Sequence, residues 1–394
     1  MNLKNKNVLI TGISGFVGSY LSRTLLEMGA TVYGFDRKTV NISDTNNLNI
    51  FKGNLLDKNS LNNALDNNID FVFHLAAQPF IPRSFENPKE TYEINGIGTL
   101  NLLEAIVSKD LDCKVIFSGS SDEYGLVFSS ETQYLDAKKK YGSIFPEPID
   151  FPELPISEEN PLRPMSPYAV SKVYGDFLMR NYYHAYGLDT VVSRSFSHEG
   201  PGRGTMFVTS IITEQVDKFK KGLIDKISIG NVNAFRDWSH VKDIINGYIL
   251  LAEKGLSGEV YNQGSMRTNS ILTYLLLSLE SAGYEIDRIE SLNNEKVIKD
   301  PTRLDNDRLF DVKFEKTKVD NLMVNNNLNF NLDDKGIIVF TNSEKIKIEF
   351  DKNRFRPADV PMFLSNNEKI GKLGFKVKYS LNYIIKDQLS FFND

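Results

Sequence analysis

In the stretch RPMSPYAVSK, Tyr168 precedes Lys172 by four residues, after a serine and a proline that can start a helix. Ser166 has the type of an N-cap and Pro167 suits the first helical position, so the two functional groups should share one helix face. An ammonium beside a phenol lowers the pKa of the phenol. A phenolate accessible near neutral pH can take the proton of a hydroxyl while hydride leaves the same carbon. A second cluster, GSSDEYG at residues 119–125, sets Ser120, Ser121, Asp122 and Glu123 side by side. On an extended strand end Ser120 and Asp122 face one way, and Ser121 and Glu123 the other. This makes Asp122 the carboxylate that can act beside Ser120, with Glu123 as a local buttress for backbone or a basic side chain.

Hydride chemistry needs an acceptor, and the N-terminus supplies the means of holding one. In TGISGFVG, Gly12, Gly15 and Gly18 stand between a strand-like run, Asn7 to Ile10, and an amphipathic run through Val17, Leu21, Leu25 and Met28. Glycines there permit a tight turn and bring backbone amides and a helix N-terminus up to a pyrophosphate. Asp36 ends the next strand-like run about twenty residues on, where a carboxylate receives ribose hydroxyls. The pattern predicts a dinucleotide site. Asp36 repels a 2'-phosphate and so favours NAD, whereas Arg37 and Lys38 could hold the extra phosphate of NADP. Asp57 in GNLLD is expected to end the third strand near the adenine.

Further β-type runs at 31–35, 49–53, 71–75, 114–118 and 190–195 alternate with helical patterns, which implies a doubly wound, Rossmann-type α/β fold with a parallel sheet. From about Gly200 the alternation loosens. We expect a dinucleotide-binding domain of residues 1–196 plus about 232–264, and a smaller α/β substrate domain of 197–231 and 265–394. Two segments look inserted. Residues 126–159 are proline-rich with three consecutive lysines and read as a long loop. Residues 287–352 contain alternating Leu328, Phe330 and Leu332, then GIIVF, then KIKIEF, which predicts a three-stranded antiparallel meander.

The net charge of −5 gives no global reason to bind nucleic acid or anionic lipid. Cys113 is the sole cysteine, which excludes an intrachain disulfide and fits the cytoplasm. The apolar run before Thr11 is too short for a signal-peptide core, and no apolar run is long enough to span a bilayer. None of the four histidines, His74, His184, His198 and His240, pairs at metal-ligand spacing with Cys113 or a carboxylate cluster, so no metal site is expected. His74 ends a strand and reads as structural.

These motifs together resemble the extended short-chain dehydrogenase/reductase family of nucleotide-sugar epimerases and dehydratases. The resemblance rests on TGISGFVG, His74-Leu75-Ala76-Ala77-Gln78, Asn95, Ser120 before Tyr124-Gly125, and Tyr168 with Lys172. It covers the chain from its start to about residue 265, with a tail match at Arg356-Pro357. It implies that Ser120 hydrogen-bonds the reacting hydroxyl and that Tyr168 and Lys172 perform the proton and hydride step. The cofactor would lie against Gly12, Gly15, Phe16, Val17, Gly18, Asp36, Arg37, Leu56, Asp57, Leu75, Ala76, Ala77, Tyr168 and Lys172. The nucleotide sugar would meet Arg83 and Ser84 on a loop over the sugar, then Ser121, Glu123, Ser197, Arg236 and Arg356. Ser197 stands where the family usually has asparagine. Arg236 and Arg356 are the candidates to pair with two phosphates.

Two segments, SHEGPGRGTMFVTS and GNVNAFRDWSHVKD, resemble GDP-mannose 4,6-dehydratases. GSSDEYG and PISEENPLRPMSPYAVSK are as similar to GDP-4-keto-6-deoxymannose reductases. Dehydration needs a carboxylate that reaches C5, which Asp122 supplies. The leading expectation is therefore an NAD-dependent 4,6-dehydratase of a GDP-linked sugar, acting as a homodimer or homotetramer. A keto-sugar reductase, an epimerase and a catalytically silent dinucleotide-binding protein are the alternatives.

Overall fold

A computed structural model describes residues 3–38, 47–65, 68–355 and 359–392. Its first lobe is built on a seven-stranded parallel sheet. In spatial order the strands are Val260–Gln263, Asp189–Ser195, Lys114–Ser118, Phe71–His74, Asn7–Thr11, Thr31–Asp36 and Leu48–Lys52. Both faces are covered, which is why these strands read as continuous apolar runs. Val8, Ile10 and Ile116 pack with Leu21 and Leu25 of helix Phe16–Glu27 and with Ile244 and Tyr248 of helix Val241–Lys254. Leu9, Val115 and Phe117 point the other way, toward Leu102 and Ile106 of helix Gly98–Ser108 and Met179 of helix Pro167–Tyr186. The two-residue period of a strand thus feeds both layers. Truncating Leu9 or Ile10 to alanine in so closed a core costs about 2–5 kcal/mol. The strand order reverses between Asn7–Thr11 and Phe71–His74, and that switch point opens a crevice at the carboxyl ends of the strands.

The second lobe departs from the expected inserted meander. GIIVF and KIKIEF do form an antiparallel hairpin, Gly336–Thr341 with Lys345–Phe350. The third partner is Ile286–Ser291, which is also paired to Val297–Lys299. The far edge of the hairpin pairs in parallel with Lys226–Ile229. Those five strands form one sheet in the core of the lobe, covered by helices Val208–Lys220, Ile271–Ser281 and Leu381–Ser390.

Leu328 and Phe330 alternate in burial as a strand would, yet no strand accompanies them. The side chain of Asn233 takes the partner's place: its Oδ1 accepts from Phe330 N at 2.9 Å and its Nδ2 donates to Phe330 O. Residues 126–159 are likewise not a bare loop. Ser130 caps a helix, Glu131–Tyr141, by accepting from Gln133 N at 3.2 Å. Arg163 then holds the segment through a buried two-point ion pair to Glu153, at 2.8 and 2.9 Å, and through the carbonyl of Leu126.

Candidate active site

The crevice is a cleft of about 640 Å³, a size suited to a small ligand or cofactor. One wall is the glycine turn. Gly12 has φ +77°, and a Cβ there would lie 2.8 Å from the backbone of Ala76. A Cβ on Gly18 would lie 2.3 Å from the carbonyl oxygen of Gly12. Both positions therefore exclude side chains. Helix Phe16–Glu27 starts at Gly15 with no side-chain cap, leaving its first amides to face the cleft. Asp36 ends its strand on the same wall and accepts from Ser14 N at 3.0 Å and Ser14 Oγ at 2.7 Å. Arg37 and Lys38 line the cleft beside it. The wall fits a dinucleotide: there is room only for backbone, an uncapped helix end for a diphosphate, and a carboxylate beyond it.

Helix Pro167–Tyr186 begins as its sequence dictates, with Ser166 Oγ accepting from Ala169 N at 3.1 Å and Pro167 in first position. Its first two turns put Tyr168 and Lys172 into the cleft with Ser120, Ser121 and Asp122. The segment after strand Lys114–Ser118 is a tight 3-10 turn, Ser121–Glu123, rather than an extended end. Strand alternation therefore does not apply there. The turn is closed by a reciprocal cap: Ser120 Oγ accepts from Asp122 N at 3.1 Å, and Glu123 Oε1 accepts from Ser120 N at 2.7 Å. Asp122 Oδ2 lies 3.3 Å from Ser120 Oγ.

The electrostatics differ from the expectation drawn from spacing. Lys172 Nζ donates to the carbonyl of Ser118 at 2.7 Å and sits 6.0 Å from the centre of the Tyr168 ring. Burial lowers the Lys172 pKa to about 8, against the pull of Glu123. The Tyr168 phenol is not lowered. Burial and the charge of Asp122 raise it, while a hydrogen bond from Ser120 and the charge of Arg203 oppose them.

Several expected contacts fall elsewhere. Glu123 is fully buried beneath the turn, next to Arg194 Nε at 3.3 Å, and does not line the cleft. It is a buttress and not a substrate ligand. Arg83 and Ser84 lie in a short helix, Ile81–Glu86. Arg83 points outward in a two-point pair with Glu90, and Ser84 is buried with its hydroxyl on Ile81 O. Asp57 caps helix Lys58–Ala64 through Asn59 N at 3.0 Å, five residues past the end of the third strand. Leu56 is exposed, and Gly53, Asn54 and Leu55 meet the cleft instead. Ser197 and Arg236 do line it. Arg236 is held there by Asp359 Oδ1 at 2.7 Å and by the carbonyls of Phe235 and Val360. Arg356 lies outside the described residues.

His74 joins Thr11 Oγ1 at 2.7 Å to Thr99 Oγ1 at 2.9 Å, and burial lowers its pKa to about 3, which makes it a neutral structural group. Sequence reasoning did not single out His198 or Arg203 for the cleft. His198 lies parallel to Phe16 of the glycine turn and donates from Nδ1 to Phe196 O at 2.9 Å. Arg203 stacks 3.7 Å from the centre of the Phe207 ring, near Glu199. Both stand in SHEGPGRG, where a basic residue beside two glycines was the available signal. Among the described residues no group of three or more His, Cys, Asp or Glu could hold a metal ion, and no helix is long and apolar enough to cross a membrane.

The chain is 33% identical over 289 residues to the GDP-mannose 4,6-dehydratase sdnI of Sordaria araneosa, covering 72% of this chain but only 49% of that protein. It is 31% identical over 299 residues to a GDP-mannose 4,6-dehydratase of Yersinia enterocolitica, covering 72% and 73%. To the GDP-6-deoxy-D-mannose reductase of Pseudomonas aeruginosa it is 29% identical over 300 residues, covering 76% and 84%. The fold matches that of RMD from Pseudomonas aeruginosa complexed with NADPH, with a TM-score of 0.68, 23% identity, and 98% and 99% of the two chains covered. It also matches DesIV, a dTDP-glucose 4,6-dehydratase of Streptomyces venezuelae with NAD and TYD bound, with a TM-score of 0.69, 20% identity, and 98% and 97% covered. Residues 8–264 match the NAD dependent epimerase/dehydratase family, and the chain belongs to that family.

Proposed function

We propose that this protein is an NAD-dependent nucleotide-sugar 4,6-dehydratase acting on a GDP-linked hexose. The observation that carries this reading is the position of Asp122. It shares the cleft with Tyr168 and Lys172 and raises the Tyr168 pKa through its charge, so a third proton-handling group faces the same space as the oxidoreductive pair. Oxidation and reduction alone do not need it.

A nicotinamide cofactor held by Gly12, Gly15, Phe16 and Asp36 would supply the hydride acceptor for C4 and the hydride donor for C6. Tyr168 takes the proton of the C4 hydroxyl as a phenolate, a form that the charges of Lys172 and of an oxidised nicotinamide would favour against the burial and Asp122 that raise its pKa, with Ser120 hydrogen-bonding the same oxygen. Lys172, anchored on the carbonyl of Ser118, supplies positive charge to the site. The ketone acidifies the C5 proton, which Asp122 accepts. Asp122 then gives that proton to the departing C6 hydroxyl, which leaves as water; when C6 is reduced, C5 takes a proton from solvent and Tyr168 releases the proton it took from the C4 hydroxyl.

Residues 1–196 with 232–264 hold the cofactor in this reading, and 197–231 with 265–394 hold the nucleotide sugar. Ser121, Ser197, Arg203 and Arg236 are the substrate-side contacts. Asp36 favours NAD, and Arg37 with Lys38 leave NADP as the alternative. Exposed Tyr92, Ile97, Val170, Tyr174 and Phe177 on adjoining helices support a homodimer. The lone cysteine supports the cytoplasm.

A 4-keto-sugar reductase is the second reading, favoured by the identity to the Pseudomonas reductase. The two separate on one assay. The dehydratase converts a GDP-hexose to a 4-keto-6-deoxy product without added reductant, whereas net NADH consumption with a keto-sugar would favour the reductase.

A further inference from the structure

Below the Ser120–Asp122 turn, Glu123 and Asp176 flank a single guanidinium. Arg194 Nε lies 3.3 Å from Glu123 Oε2 and 2.9 Å from Asp176 Oδ2, and all three groups are buried away from the cleft. Asp176 has a second cation, Arg180, at 2.7 Å. Glu123 has none so close. Its Oε1 accepts from Ser120 N, while its Oε2 has no hydrogen-bond partner.

The other polar groups around it are engaged. Lys172, from the helix, bonds to Ser118 O. Tyr124 accepts from Arg194 Nη1 at 3.1 Å and donates to Asn262 Oδ1 at 2.6 Å. The Glu158 carboxylate accepts from Asn262 N at 2.7 Å. On the cleft side of the turn, Asp122 adds a further negative charge.

Two buried carboxylates sharing one guanidinium are unequal when only one has a second cation, and the less compensated one keeps its proton. We propose that Glu123 is protonated in the working enzyme and in this neutral form positions Ser120 and Asp122. The geometry supports the positioning role directly, since Oε1 closes the turn and a Cβ on Gly119 would lie 2.7 Å from it. Burial and the neighbouring Asp176 push the Glu123 pKa up to about 8, against Arg194 and the Ser120 amide. Glu123 is thus a positioning residue for the proton step, which rests on the reading that Ser120 and Asp122 act on the sugar.

The first test needs no substrate. An infrared pH titration of the wild-type protein should show a protonated carboxyl band at neutral pH that Glu123→Gln removes, and absence of the band overturns the proposal. In turnover, Glu123→Leu should lose at least about tenfold in kcat with KM nearly unchanged, and Glu123→Gln should recover most of that loss because it mimics the neutral acid. A glutamine variant as poor as leucine overturns the protonated form. A leucine variant as good as wild type overturns the positioning. Asp122→Asn, assayed in parallel, tests the functional reading separately: if it turns over normally that reading falls, while the infrared band still decides the state of Glu123.

Discussion

Around Gly12, Gly15 and Gly18 the wall of the cleft is main chain, and it works because there is no space for anything larger. Around Ser120 and Asp122 the wall is made of side chains, held from below by Glu123, Arg194 and Asp176. The first wall is specified by sterics and a helix end, the second by charge balance in a desolvated layer. The first should therefore fail when atoms are added, and the second when charges or protons are moved.

The largest effect expected falls on the second wall. Tyr168→Phe removes the proton acceptor and should lower turnover by about a thousandfold, within the 10²–10⁴ range of general base catalysis, with cofactor affinity retained on fluorescence titration. Asp122→Asn should follow at about a hundredfold loss of dehydration, with oxidation at C4 still visible as transient reduction of cofactor in stopped-flow absorbance. Unchanged turnover would remove Asp122 from the mechanism.

On the first wall, Gly18→Ala forces the carbonyl of Gly12 to move and should weaken cofactor binding by about tenfold or more, close to 1.4 kcal/mol, with the proton chemistry of bound cofactor little changed. Equal affinity in the variant would mean that the turn is not a tight cradle. A pH–rate profile sharpens the contrast further. Lys172, with its pKa lowered to about 8 by burial, loses its ammonium as pH rises through that value, so kcat should fall on the alkaline side. A profile flat to about pH 10 would show that the charge on Lys172 is not required. For stability the sign is opposite: a depressed lysine pKa means that the folded state releases its proton first, so the Lys172 contribution rises between about 8 and the ordinary lysine value. The smallest effect belongs to Arg83→Ala, an exposed residue paired with Glu90 outside the cleft, which should leave kcat/KM within about twofold.

The first wall was far more legible in the sequence than the second. Glycine spacing, Asp36 at a strand end and the Ser166-Pro167 helix start depend on local rules, and the structure keeps all three. The sheet was legible for the same reason, since buried parallel strands announce themselves as apolar runs. The turn at Ser121–Glu123 was not, because its backbone is fixed by a reciprocal cap rather than by continuation of the strand. Arg83, Ser84 and Asp57 were misplaced because short helices at 81–86 and 58–64 follow strands that end sooner than expected. Residues 287–352 read as a three-stranded meander because Leu328 and Phe330 alternate, whereas the pairing of Phe330 comes from a side chain, Asn233, nearly a hundred residues earlier in the chain.

Whether Asp122 turns an oxidoreductive cleft into a dehydrating one is decided by incubating the purified protein with a GDP-hexose in deuterated water without added reductant. The expected outcome is a 4-keto-6-deoxy product carrying solvent deuterium at C5, with no net change in cofactor redox state. A protein that forms no such product, yet consumes NADH when given the 4-keto sugar, would contradict it.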